Sequence, residues 1–274
     1  MSILPEPFEW ITIPEGYVTL KKSQYSYDYI QSEAIFSVPL FQIAKYPITN
    51  GQYATFIEAG GYNDKQWWTE AGWIARSENC QETYDPDGYG GHVGPRVATH
   101  IAWTEPSEWT PSSWNKESRY DDQPVCGVSW YEAIAFCRWL SDATGEAITL
   151  PTDQQWQRAA GGDDGRLFPW GNEWDATKCA NSIGKHTRDR TLVYHYKGVG
   201  DSPFGVVDMV GNVGEWCLTA FKTGDTAIEG DVIRAMRGAS KGVAVVEPFY
   251  ITARSFNLPV ARNNNTGLRI VRNG

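Results

Sequence analysis

Five cysteines and four histidines are the residues with which this chain could hold a soft metal or present a thiolate nucleophile. The thiols, Cys80, Cys126, Cys137, Cys179 and Cys217, are odd in number, widely spaced and free of any CxxC pair. That pattern argues against a zinc ribbon or a dense disulfide scaffold and predicts reduced, buried side chains. His92, His100, His186 and His195 show no i, i+3 or i+4 pairing, so a facial metal triad does not assemble from them. Adjacent carboxylates at Asp121–Asp122 and Asp163–Asp164 fall in turns and read as solvated turn residues rather than an acid/base pair. No GxSxG, Walker loop, HExxH or GxGxxG before a helix is present. In "DMVGNVGEW", Asp208 and Glu215 flank main-chain carbonyls in a glycine-bearing loop, and hard oxygens at close spacing are what Ca²⁺ takes.

Four helices are predicted to position these groups. "ITNGQYATFIEAGG" (48–61) opens on Thr49 and Asn50 as caps and stops on a glycine pair; 63–78 is a second candidate. "SWYEAIAFCRWLSDATG" is the clearest: Ser129 caps, Glu132 completes a capping box and Gly145 ends it. Its stripe Trp130, Ala133, Ile134, Cys137 and Leu140 faces a core. "PTDQQWQRAAGG" (151–162) starts a fourth, capped by Thr152. Short strands are predicted over 34–45, 147–150, 232–237, 249–254 and 267–272, between turn-rich stretches such as "GGDDGRLFPWGNEWD". The class is α+β, a few helices around small irregular sheets with long ordered loops, in a single domain over 1–274.

Composition narrows the partners. Thirteen tryptophans and fourteen tyrosines supply ample core material. No stretch approaches the roughly 18 apolar residues that a membrane span requires. "MSILPEPFEW" lacks a basic region followed by an apolar one, so no secretory signal is visible. Synthesis in the cytoplasm is expected, with a cell surface or phage particle as candidate destinations. Residues 234–274 carry seven Lys or Arg and one acid, net +6, leaving −15 of the overall −9 for the rest. The arginines are spaced out and lack the clustering of a nucleic-acid footprint. Burial among carbonyls or pairing with core acids accounts for them as well, and no nucleic-acid partner is expected.

Three stretches, "PVCGVSWYEAIAFCRWLSDATGEAITLPTDQQWQRAA", "FPWGNEWDATKCANS" and "SPFGVVDMVGNVGEWCL", stand in order with "FQIAKYPITNGQYATFIEAGGY" and the ending "RGAS…ARSFNLP…NNNTGLRIV". Together they resemble the formylglycine-generating-enzyme (sulfatase-modifying factor) family over nearly the whole chain. The resemblance implies a much-elaborated C-type-lectin-like fold. It also implies calcium at Asp208, Gly211, Val213 and Glu215, and a second site beginning at Asn181 and Ser182. The family's usual Trp before the Glu is Gly214 here. The family's copper-dependent oxidases use two cysteines in the segment after a GGS-like turn. Here that turn is "RGAS" and the following "KGVAVVEPFYITA" holds no Cys, so neither copper nor formylglycine chemistry is expected. The iron-dependent sulfoxide synthases of the same fold use a histidine cluster, so iron is not expected either.

The ending is similar to a third branch, the variable proteins of diversity-generating retroelements, through Arg254, Asn257, Pro259, Asn263–Asn265, Gly267, Leu268 and Arg269. That resemblance implies no catalysis and a mutable surface, within about 237–269, for a protein or other macromolecular ligand. In Gly242–Ala261, 19 of 20 residues belong to the set reachable from template asparagine codons, Glu247 being the exception. The expected surface residues are Gly242, Val243, Ala244, Val245, Val246, Phe249, Tyr250, Ser255, Phe256, Asn257, Leu258, Val260 and Ala261. The alternatives are a metal-dependent oxidase whose ligands have moved and a structural module docking one fixed partner.

Overall fold

The protein is described by a computed structural model covering residues 3–23, 28–84, 93–98, 103–106, 120–183 and 189–273. Side-chain oxygens start its helices. Thr49 Oγ1 accepts from Gln52 N while the Gln52 side chain accepts from Thr49 N, and α1 (Asn50–Glu58) follows. The predicted helix over 63–78 is split into a 3₁₀ turn at Lys65–Trp67 and α2 (Glu70–Ser77). Trp68 is extended between them, and Thr69 restarts the helix by accepting from Gly72 N. Ser129 and Glu132 form the reciprocal pair that opens α3 (Trp130–Thr144), and Gly145 closes it at φ +72°. Thr152 and Gln155 do the same for α4 (Asp153–Gly161).

The strands in chain order are β1 (Trp10–Ile13), β2 (Gly16–Leu20), β3 (Ala34–Val38), β4 (Phe41–Ala44), β5 (Cys80–Tyr84) and β6 (Val93–Ala98). They continue with β7 (Ile148–Thr149), β8 (Gly214–Ala220), β9 (Arg234–Arg237), β10 (Ser255–Asn257), β11 (Thr266–Gly267) and β12 (Val271–Asn273). One sheet runs β1-β4-β12-β7, a second β10-β9-β8-β11, with β2–β3 and β5–β6 as separate ribbons. The predicted strand over 34–45 is two strands in different sheets, divided at Pro39, which has no N–H for a ladder. The predicted strand over 249–254 does not form. Pro248 opens a 3₁₀ turn at Glu247–Phe249, and the carbonyls of Ile251 and Ala253 accept from Arg237 instead of a neighbouring strand.

Two buried clusters fill the interior. One gathers Tyr53, Phe56, Trp130, Phe136 and Trp216 around α1 and α3; the other packs Ile43, Trp156, Met209, Phe221 and Phe249 between α4 and the sheets. The second lies under the C-terminal segment and fixes its path.

Candidate functional site

Four arginines tie the last forty residues to the frame. Arg237, 1% exposed, bonds Asp153 through Nε, Gln157 Oε1 at 3.0 Å and the carbonyls of Ile251 and Ala253 at 2.9 and 3.1 Å. Arg254 Nε reaches the other oxygen of Asp153 at 2.7 Å, and its Nη1 grips Asp28. Burial alone would raise the Asp153 carboxyl, but Arg237 and Arg254 outweigh it and hold it below the usual range. Arg262 is held by Glu132, with both N–O distances 2.9 Å, over the ring of Trp103. Arg269 is paired with Glu215 at 2.8 Å and also donates to the carbonyls of Ala44, Lys45, Val207 and Asp208. The positive charge of the tail is thus turned inward, as the spacing of its arginines allowed. Arg234 is buried too, its guanidinium 3.7 Å from the Trp130 ring centre.

Between these ties the side chains divide. Gly242, Ala244, Val245 and Ser255 are exposed; Val243, Val246, Tyr250, Phe256, Asn257 and Leu258 are half-buried. Phe249, Val260 and Ala261 are not surface residues. They are 0%, 0% and 1% exposed and belong to the two core clusters, because the 3₁₀ turn directs Phe249 onto Trp174 and the turn at Leu258–Ala261 lies against α3. The expected surface keeps its remaining members, with Val245 58% exposed.

The segment forms one wall of a cleft of about 390 Å³. Tyr250, Ser255, Pro248, Met236, Lys21 and Lys22 line it together with Arg237–Ala239. Such a volume is in the range of small-ligand pockets. Lys21, Lys22 and Met236 carried no sequence signal, since nothing periodic or motif-like marks them and the chain brings them in from 200 residues away. A second cleft of about 330 Å³, bordered by Tyr17 and Leu167, shares Lys21 and Thr252 with the first.

Most of the side chains carried over for calcium are engaged within the protein. Glu215 meets Arg269 with both oxygens and accepts from Trp156 Nε1 at 2.7 Å. Asn181 bonds the carbonyls of Ala176 and Cys179 and accepts from Ile183 N, while Ser182 Oγ donates to Lys241 O. Gly211 N donates to Gly238 O, and Val213 is buried just before β8. Only Asp208 retains an oxygen, Oδ1, without a partner; its Oδ2 accepts from Asn212 at 2.9 Å. Among the described residues no three His, Cys, Asp or Glu side chains are grouped to hold a metal. All five cysteines are buried and none forms a disulfide. His92, His100 and His186 lie outside the described residues; His195 stacks edge-on against Tyr196.

Residues 5–274 match the family model described as sulfatase-modifying factor enzyme 1-like domain. The chain belongs to that family. Hercynine oxygenase of Mycolicibacterium thermoresistibile is 27% identical over 278 residues, which cover 92% of this chain and 55% of that protein. The chain therefore spans about half the length of the curated relatives it first matches. Inactive C-alpha-formylglycine-generating enzyme 2 of Bos taurus is 27% identical, over 85% of this chain and 77% of its own. Among solved structures, Treponema denticola variable protein 1 superposes with a TM-score of 0.63 at 18% identity, covering 97% of this chain and 95% of that one. The fold is thus that of the formylglycine-generating-enzyme-like proteins, and the family holds both enzymes and inactive members. Among the described residues no helix is long and apolar enough to cross a membrane.

Proposed function

We propose that this chain is a non-catalytic, ligand-binding member of the family, and that it presents a C-terminal recognition surface of the variable-protein kind. The surface is the exposed and half-buried part of Gly242–Leu258 together with the cleft that Tyr250 and Ser255 border. One observation carries this reading. The backbone is fixed before and within the segment by the buried Asp153–Arg237 and Asp28–Arg254–Asp153 contacts, while Ala244 and Val245, between these arginines, and Ser255, next to the second, have their side chains in solvent. Stability then resides in the ties and recognition in the side chains between them, so the second can change without loss of the first. The ligand is a protein or another macromolecule. The fold shared with a variable protein supports the reading, and so does the lack of cysteine after Cys217, because a copper site in this segment needs thiolates.

Two experiments test it. The gene's neighbourhood should contain a reverse transcriptase and an imperfect repeat of this segment that differs at adenines; without them the hypervariable part of the proposal fails. Copper and iron titration, with an activity assay on thiol substrates, should give neither stoichiometric tight binding nor turnover. Both together would make the chain an oxidase.

A further inference from the structure

Away from that cleft, Arg190 is 7% exposed and lacks a carboxylate bond among the described residues. Its Nη1 donates to Pro124 O at 3.1 Å, and its Nε has no partner. The hydroxyl of the next residue, Thr191, is also buried without a partner. Both residues border a cavity of about 260 Å³, with Tyr120, Gln123, Leu192 and His195 as the rest of its wall.

This wall is held rigidly. Gln123 Nε2 donates to Arg190 O at 2.9 Å, and the Asn212 amide clamps Thr191 at both ends, accepting from its N at 3.1 Å and donating to its O at 3.2 Å. The nearby carboxylates make their side-chain bonds to other groups, although, against burial and with Lys241, the Arg190 charge helps hold the Asp189 carboxyl low. Asp189 takes Lys241 Nζ and the Arg190 backbone N–H, Asp122 takes the Tyr194 hydroxyl, and Asp208 takes Asn212. A buried guanidinium whose N–H groups lack acceptors is costly. Here the Arg190 and Thr191 side chains border one cavity, and among its described lining residues there is no acid.

We infer that Arg190 and Thr191 form a binding site for a phosphoryl oxyanion, either free phosphate or the phosphate of a monoester. The planar guanidinium fork suits an oxyanion better than a point charge does, and the Thr191 hydroxyl adds a donor at its side. This site is independent of the C-terminal recognition surface.

Titration of the full chain with inorganic phosphate and with phosphoethanolamine, at constant ionic strength, tests the site. Saturable one-site binding of either is expected. Tighter binding of the ester assigns the anion to a larger molecule, and equal or weaker binding assigns it to the free ion. Arg190→Met should lower affinity tenfold or more with the circular dichroism unchanged, and Thr191→Val should lower it several-fold. Should Arg190→Met not fold, Arg190→Lys serves, keeping the charge and losing the fork, with weakened binding expected. No saturation by about 20 mM of either compound, well above the 1 mM that corresponds to about −4 kcal/mol, overturns the inference. Affinity unchanged in the Arg190 and Thr191 variants does so as well.

Discussion

Arg269 Nη2 lies 2.8 Å from Glu215 Oε1, with both side chains at 1% exposure or less, in the loop-to-strand corner where the family resemblance implies a calcium ion. The guanidinium also meets four main-chain carbonyls, from Ala44, Lys45, Val207 and Asp208. The cation that gathers these oxygens is the protein's own, supplied two residues before β12.

It follows that breaking the pair is expensive and that added cation matters little. Glu215→Gln or Arg269→Met should each destabilise by about 3–5 kcal/mol, because one buried charge is left unpaired. Urea denaturation measures this. Millimolar calcium or a chelator should leave the melting temperature of the native protein where it is; a rise of several degrees with calcium would show a bound ion linked to folding.

The tail should separate into tolerant and intolerant positions. Val245→Asp and Ser255→Tyr change exposed side chains and should move stability by no more than about 0.5 kcal/mol. Phe249→Ala opens a hole beside Trp174 and should cost about 3–5 kcal/mol. Ala261→Leu forces methylenes into a filled core, and about 1–3 kcal/mol is expected there. If all four behave alike, the segment is uniformly core or uniformly surface, and the recognition surface is lost.

Asp208 predicts a pH dependence. Burial pushes its carboxyl up to about 7, with Glu215 and Asp201 adding to the rise and Asn212 and Arg269 opposing it. Between about pH 4 and about pH 7 the native state therefore holds a proton that the unfolded chain has released. Stability from this group is full below that window and falls as pH rises through it. Asp208→Asn removes the titration. The variant should be less pH-sensitive than the parent, and its stability relative to the parent should rise by a few kcal/mol between pH 4 and pH 8 in matched urea titrations. Parallel pH profiles would contradict the burial of a titrating Asp208.

What the sequence made legible was local. Ser129–Glu132, Thr152–Gln155 and Gly145 mark helix ends by neighbours three or so residues apart, and those ends stand where they were read. The strand β8 is not among the predicted strands, because Gly214–Ala220 is buried along nearly its whole length and shows no alternation. Pairings across the chain were illegible. Nothing in "RGAS" announces that Arg237 will meet Asp153, 84 positions away, or that Arg254 will meet Asp28 across 226. Phe249, Val260 and Ala261 are buried in the two clusters, and Lys21 and Lys22 line the same cleft as Tyr250. Family motifs located the segment; only tertiary packing sorted its side chains.

The thiols give the last prediction, and it bears on the choice between binding protein and oxidase. Cys126, Cys137, Cys179 and Cys217 are 2% exposed or less, and Cys80 is 5%. Burial raises the Cys137 and Cys217 thiols well above their usual range and pushes Cys179 up to about 12. The nucleophile in disulfide exchange is the thiolate, so buried neutral thiols should react with an aromatic disulfide reagent only as fast as the protein opens. Native protein at pH 8 should therefore release almost no chromophore over minutes, and urea should release five equivalents at once. A thiol that reacts in the native state within seconds, and is protected by Cu(I), would mark a functional sulfur. It would move the chain to the oxidase side of its family.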